Sequence, residues 1–310
     1  MEELIRIFPL HLHEFCRQAF GRKYRPEEIR IRVRQPLQLL NSGEELFWNG
    51  ECLQEASKGA YRASETDVQE ILDAISRYSL YAFEEELRSG FLTIQGGHRV
   101  GLAGKAVCEG GQICTLRQIS FLNIRIAGER KGCADSVLPY LREGERIYNT
   151  LIVSPPGVGK TTLLRDCIRQ ISDGDDAHLG KRVGLVDERS ELAASYMGCP
   201  QKDVGLRTDV LDCCPKSQGM LLLLRSMSPQ VIGVDELGGA ADYEAVEYVL
   251  HCGCRILGTL HGESLMEMEQ KPYLAKWLRE GYFERILFLE RGQGQRRRFH
   301  IYNERREQLC

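Results

Sequence analysis

Hydrophobic and polar positions follow two different patterns along this chain, and the change falls near residue 132. Over residues 1–20, Leu4, Ile5, Phe8, Leu12, Phe15 and Phe20 recur at helical spacing. Residues 28–34 alternate charge with β-branched side chains, which predicts a half-buried strand with one solvated face, and after Pro36 a short strand resumes over 37–40. Ser64 and Asp67 form a capping-box pair in front of an apolar stripe of Val68, Ile71, Leu72 and Ile75, so a helix starts there. A second helical piece is expected over 78–87. Two strand patterns flank Gly96-Gly97 and predict a hairpin. Residues 112–116 and 120–127 add two more strands. This first part is therefore α+β, ends near residues 128–132, and is joined to the rest by a linker and a short helix over 134–141.

From Tyr148 onward, apolar runs at 151–153, 183–186, 231–234 and 255–260 alternate with helical segments. Such runs, apolar on both faces and separated by helices, predict a mostly parallel sheet covered on both sides. The expected domains are an α+β domain over 1–132 and a nucleotide-binding domain over 133–310. Ligands in such sheets bind where the strands end, and acidic residues and glycines cluster at those ends here.

The first strand end carries the most specific signal. Ser154, Pro155, Pro156, Gly157, Val158, Gly159, Lys160, Thr161 and Thr162 lie between an apolar strand and a helix over 161–170, the context a phosphate-binding loop requires. Gly157 and Gly159 lack Cβ atoms, so successive backbone N–H groups can turn toward one anion. The following helix adds unpaired N–H groups and its positive dipole end. Lys160 is placed to reach the β- and γ-phosphates of a nucleotide, and the Thr161 hydroxyl to hold Mg²⁺. Ser154 stands where the strict pattern has glycine, a position that opens the turn and where serine can bond to local backbone. The fold expected is α/β, a P-loop NTPase of RecA-like type whose mostly parallel sheet is flanked by helices and preceded by a smaller α+β domain.

Three further stretches complete the candidate site. Residues 231–236 are four apolar residues followed by Asp235 and Glu236. Asp235 is expected in the metal shell and Glu236 to orient or deprotonate the attacking water. Residues 183–191 end in Asp187, Glu188 and Glu191. They are either an ordinary strand-to-helix junction or a second set of carboxylates facing the γ-phosphate, with Glu188 as another candidate to activate water. Thr259 and His261 end the next strand, where a hydroxyl or imidazole can sense the γ-phosphate, or a core histidine can cap a turn. Stabilising a phosphoryl transition state also calls for a cation, and Arg225, Arg207 and Arg125 are the candidates, the last supplied by the first domain or by a neighbouring subunit. Arg30, Arg32 and Arg34 form either an anion-binding row or the wet side of a sheet, and their alternation favours the second.

Bulk properties narrow the functional classes. The chain has 310 residues, 43% of them hydrophobic and 27% charged, with a net charge of −3. These values fit an ordinary globular chain and argue against one generally coated with nucleic acid. Residues 1–6 lack the basic and apolar pattern of a signal peptide. No apolar run nears the roughly 18 residues that span a bilayer. Twelve cysteines without a Cys-x-x-Cys pair point to thiols in a reducing cytosol rather than a zinc site.

The order of these pieces resembles the secretion-type ATPases, the motors of type II and type IV secretion and of pilus systems. In those proteins a P-loop, an aspartate box, a Walker B strand and a histidine box follow in that order, matching 154–161, 187–191, 231–236 and 259–261 here. A more specific resemblance, spanning most of the chain, is to the stage III sporulation protein AA family of endospore-forming bacteria. It is carried by residues 28–32, 96–104, 120–126, 186–191 and 215–220. The resemblance implies an ATPase using ATP and Mg²⁺ on the mother-cell side of the engulfed forespore. It implies a ring, expected to be a hexamer, whose partners are membrane proteins of the same sporulation channel complex. It also implies nucleotide bound between the two domains and at subunit contacts. Two other readings remain open. The basic tail over 291–300, with one aromatic residue, fits a nucleotide-dependent nucleic-acid-binding protein, and the same loop without turnover would make a nucleotide-gated scaffold.

Overall fold

The computed structural model describes residues 2–76, 90–292 and 297–310. The chain divides into two compact units, Met1–Gly128 and Glu129–Cys310. The helical piece expected over 78–87 lies outside the described residues, as does the 293–296 part of the basic tail.

In the first unit the helical spacing of residues 1–20 becomes two short helices, α1 (Glu2–Ile5) and α2 (His13–Ala19), separated around Pro9. Proline has no N–H to continue a helix, which is why one helix becomes two. The strands are β1 (Pro26–Arg32), β2 (Gln38–Asn41), β3 (Glu44–Trp48), β4 (Leu53–Gln54), β5 (Phe91–Ile94), β6 (His98–Glu109) and β7 (Gln112–Arg125). They form an antiparallel sheet in the order β4-β3-β2-β1-β7-β6-β5. Helix α3 (Glu65–Ile75) starts on the expected capping box. Asp67 N–H donates to Ser64 Oγ at 3.0 Å, and Ser64 N–H donates to Asp67 Oδ2 at 2.7 Å.

Two expected strands over 112–127 are one strand, β7. Its polar middle hides a bulge, in which Gln118 adopts φ 47° and the β6 register shifts between Ala103 and Lys105. Gly104 faces that bulge, where a Cβ would sit 2.6 Å from the Gln118 carbonyl oxygen. Of the arginine row, Arg30 and Arg32 lie on the polar side of the sheet. Arg30 pairs with Glu28 at 2.9 Å and Arg125 with the same carboxylate at 3.3 Å, while Arg34 leaves the strand at φ 62° and pairs with Glu65 at 3.1 Å.

The second unit begins with turns over 131–137 and a 3₁₀ segment, Leu138–Tyr140, where a helix was expected. Pro139 falls inside the expected helix, where it has no N–H to bond the carbonyl oxygen of residue 135, so only the single turn from Leu138 forms. The short ribbon β8 (Arg142–Glu143) and β9 (Arg146–Ile147) leads into β10 (Thr150–Ser154), followed by helix α4 (Lys160–Asp173). The rest comprises a second ribbon, β11 (Gly174–Asp175) and β12 (His178–Leu179), then β13 (Val183–Asp187), β14 (Thr208–Asp212), α5 (Lys216–Ser226), β15 (Val231–Val234), α6 (Ala240–His251), β16 (Arg255–His261), α7 (Leu265–Gln270), α8 (Pro272–Glu280), β17 (Arg285–Arg291) and β18 (Arg297–Asn303).

The main sheet runs β14-β13-β15-β16-β10-β17-β18, and only β18 is antiparallel to its neighbour. Both faces are buried by the period-two alternation of its strands. Ile152 and Leu185 pack with Leu163, Leu164 and Ile168 of α4, whereas Leu151, Val153 and Val186 pack with Met220, Val246 and Trp277. Shared strand direction then brings Ser154, Asp187, Val234 and His261 to one edge.

Candidate functional site

Strand β10 ends at Ser154, whose hydroxyl donates to the Pro155 carbonyl oxygen at 2.9 Å. The loop turns back into α4 through two glycines in the left-handed region, Gly157 at φ 74° and Gly159 at φ 107°. L-residues with side chains rarely take those angles, which accounts for both glycines. Gly159 is the N-cap and supplies no side-chain acceptor. The N–H groups of the first turn also have no acceptor within the helix, so they remain available to an anion. Pro155, Pro156 and Val158 form the wall of the loop that faces β17. Together with Phe288, Leu289 and Arg291 they bound a cavity of about 450 Å³. Thr162 follows in the first helical turn.

Lys160 is 5% exposed, and burial holds its ammonium below the usual lysine range, opposed by the charges of Asp235, Glu236 and Glu191. Its Nζ lies 3.1 Å from His261 Nδ1, and His261 Nε2 lies 3.0 Å from Glu236 Oε1. A neutral imidazole fits both contacts, accepting at Nδ1 and donating at Nε2. Thr161 Oγ1 donates to Asp235 Oδ2 at 2.6 Å. The Thr259 hydroxyl donates to the other oxygen of Asp235 and accepts the Glu236 N–H at 2.8 Å. Glu236 itself sits at φ 54°, a conformation uncommon for a non-glycine residue. Three strand ends, those of β10, β15 and β16, thus meet through side-chain hydrogen bonds around Lys160 and Thr161.

The end of β13 divides into two roles. Asp187 is 2% exposed and accepts N–H bonds from Glu191 and Ala193, each at 2.8 Å. Burial still raises its carboxyl above the usual range. Asp187 therefore shapes the loop that follows from the floor of a cleft, which Glu188, Arg189, Glu191 and Lys216 line with Asp235 and Glu236. Glu188 is paired with Lys216. Arg165, buried on α4, donates to the carbonyl oxygen of Glu191 at 2.7 Å and to that of Leu192, fixing the same loop.

Arg225 and Arg207 are not brought to this cleft within their own chain. Arg225 is exposed in the last turn of α5, which descends to the amino end of β15, so it lies at the opposite edge of the sheet from the loop of its own chain. Arg207 donates to the carbonyl oxygens of Ser172 and Asp173, each at 3.0 Å, at the far end of α4. Arg125 belongs to the first unit. The arginine at the cleft is Arg189, whose Nη1 lies 3.0 Å from Glu236 Oε2. It stands inside the acidic stretch 187–191, but no local pattern links it to Glu236. Among the described residues no cluster of His, Cys, Asp and Glu could hold a metal ion, and the twelve cysteines form no disulfide.

Comparison with known proteins places the chain. The family described as "Sporulation stage III, protein AA" matches residues 1–309. The stage III sporulation protein AA of Bacillus subtilis (strain 168) is 42% identical over 268 residues, covering 86% of this chain and 83% of that protein. Among solved structures, the pilus retraction motor PilT with bound ADP superposes with a TM-score of 0.61 at 15% identity, covering 93% of this chain and 81% of that one. The ATPase DotB of Legionella pneumophila gives a TM-score of 0.56 at 16% identity, covering 89% and 76%. The fold is that of the secretion ATPases.

Proposed function

The chain belongs to the sporulation stage III protein AA family, and from that premise we propose that it is an ATPase, an ATP-binding and hydrolysing motor of a sporulation channel complex between mother cell and forespore. In this reading it works as a homo-oligomeric ring in the mother-cell cytoplasm and meets the membrane through membrane proteins of the same complex. Among the described residues no helix is long and apolar enough to cross a membrane. The likeness in fold to an ATPase and to a pilus retraction motor supports the motor reading.

One observation carries the enzymatic part. The Thr161 hydroxyl meets the Asp235 carboxylate at 2.6 Å, so the phosphate loop and the acidic strand end face one point. A hydroxyl and a carboxylate oxygen side by side are hard donors, and they suit Mg²⁺, which keeps several waters and takes few protein ligands. When bound, that ion neutralises charge on the β- and γ-phosphate oxygens. Residues 157–161 hold the phosphates through backbone N–H groups, with Lys160 on the terminal pair. Glu236, one residue beyond Asp235, receives the proton of the attacking water, and His261 orients it. The cavity beside Pro155 and Pro156 opens from the side of the loop away from these acids, which suits the nucleoside.

Turnover and nucleotide binding by Lys160→Ala and Glu236→Gln test the proposal. The first is expected to lose both, and the second to bind ATP without turning it over. Light scattering with a non-hydrolysable ATP analogue is expected to show a ring-sized particle. Binding without turnover by the wild type in the presence of its partners would favour the nucleotide-gated scaffold instead.

A further inference from the structure

Resting on that reading, we infer that Arg189 is a catalytic residue acting within its own chain: it holds Glu236 before nucleotide arrives and transfers to the terminal phosphate when the triphosphate is bound. The geometry behind this is a chain of contacts that runs through Lys160, His261, Glu236 and Arg189. Lys160 Nζ lies 3.1 Å from His261 Nδ1, His261 Nε2 lies 3.0 Å from Glu236 Oε1, and Arg189 Nη1 lies 3.0 Å from Glu236 Oε2. Both oxygens of the carboxylate that must receive a proton from water are therefore engaged. The left-handed turn at Glu236, fixed by its N–H bond to Thr259 Oγ1 at 2.8 Å, points the side chain at those two partners.

Among these contacts the arginine is the most readily exchanged. Its side chain is 63% exposed, whereas that of Glu236 is 26% exposed. An ion pair with one partner mostly in water is weak, so a terminal phosphate carrying more charge can take the guanidinium from the carboxylate. Arg189 also lines the cleft that holds Glu188, Glu191, Asp235 and Glu236. A triphosphate brought there adds negative charge to a cluster of acids; of the two cations lining the cleft, Lys216 is held by Glu188 with its side chain only 12% exposed, which leaves Arg189 to offset that charge. Arg165 cannot do so, because it is buried and committed to the carbonyl oxygens of Glu191 and Leu192.

The exchange makes base release depend on the presence of a γ-phosphate. Arg189 leaves Oε2 of Glu236 and binds the equatorial oxygens of the γ-phosphoryl group. The freed carboxylate accepts the proton as the water oxygen bonds to the γ-phosphorus. The bond from that phosphorus to the bridging oxygen breaks, and its electron pair stays on the departing ADP. A diphosphate lacks the group that draws Arg189 away, so the product state returns Glu236 to its resting partner.

Two readouts on the full-length protein test this. Arg189→Ala is expected to lower kcat roughly a hundredfold with KM for ATP within about threefold of wild type, and to lose the preference of the wild type for a non-hydrolysable ATP analogue over ADP. A variant that keeps wild-type turnover, or keeps that preference, overturns the inference. Arg189→Lys, which retains charge without the planar fork, is expected to recover only part of kcat. Mixing Arg189→Ala with Glu236→Gln separates action within a chain from action across a subunit contact. No activity beyond the sum of the two is expected, and restored activity would mean that the arginine serves a neighbour. If the wild type binds neither nucleotide, the underlying ATPase reading falls and the arginine with it. If Lys160→Ala abolishes binding while Arg189→Ala matches wild type in both readouts, the inference about Arg189 fails alone.

Discussion

The two ends of the parallel sheet in Glu129–Cys310 both gather charged side chains and use them differently. At the amino end, Arg146 and Arg255 close on Glu284, which also accepts the Asn149 N–H at 2.9 Å, and Lys181 closes on Glu145. A cavity of about 370 Å³ there is lined by Arg146, Lys181 and Arg255, yet each of these cations already has a carboxylate partner. At the carboxyl end, Lys160 rests on an imidazole and Arg189 on a carboxylate from which it is largely exposed. Density of charge does not distinguish the ends. The difference is whether a ligand can displace the existing partner, and whether left-handed glycines leave backbone N–H groups turned toward the same point.

The strongest way to break this comparison is to remove the cation at the carboxyl end. Lys160→Ala is expected to cut ATP turnover on the order of a thousandfold or more while leaving the thermal midpoint close to wild type. Burial works against the charge of Lys160 in the folded protein, so the fold gains little from it. A steady-state ATPase assay beside a melting curve checks both halves. A large loss of stability with turnover retained would mean that the lysine is structural, like its counterparts at the other end.

Much of the carboxyl end was legible because its pieces are local. Gly157 and Gly159 before Lys160 and Thr161, and four apolar residues before Asp235 and Glu236, each announce their chemistry within a single strand and turn. The hydrogen bond from Thr161 to Asp235 then follows from a parallel sheet, which aligns strand ends whatever the loops between them do. Arg225 shows where local reading stops. An arginine shortly before a proline and a strand looks like part of the site, but the helix carrying it runs from the carboxyl to the amino edge and delivers its last turn to the wrong end. Arg189 was in plain view within residues 187–191. Its partner depends on the left-handed turn at Glu236 and on a loop organised by Asp187 and Arg165, and none of these leaves a periodic trace. In the first unit the same limit split β7 in two, because a bulge at Gln118 reads as a break.

At the amino end the expected effect is smaller and of the opposite kind. Glu284→Ala leaves Arg146 and Arg255 without their shared carboxylate and the Asn149 N–H without its acceptor. Its side chain is 15% exposed, so the loss is expected to cost about 1–3 kcal/mol of stability, with turnover per folded molecule unchanged. Urea unfolding, paired with the ATPase assay, measures this. A drop in turnover without loss of stability would show that the two ends are coupled, and would erase the distinction between them.

The smallest expected effect concerns the loop on which Arg189 rides. Burial raises the Asp187 carboxyl above its ordinary value of 3.8, against the N–H groups of Ala193, Glu191 and Leu192, and the nearby Asp212 adds to the rise. The folded protein therefore holds this proton more tightly than the unfolded chain does. Just above pH 3.8 the folded state binds more protons at this site, so the contribution of Asp187 to stability falls as pH rises through that window and then levels off. Asp187→Asn removes the titration. It also sets an amide where two N–H donors point, but that penalty does not vary with pH. The stability of wild type minus that of the Asn variant, taken from urea midpoints at successive pH values, is expected to shrink with rising pH across the window. A difference that grows instead would mean that the backbone N–H groups outweigh burial. Asp187 would then be a carboxylate stabilised by its charge, and the loop carrying Arg189 would be anchored by an ion rather than by a buried acid held against its preference.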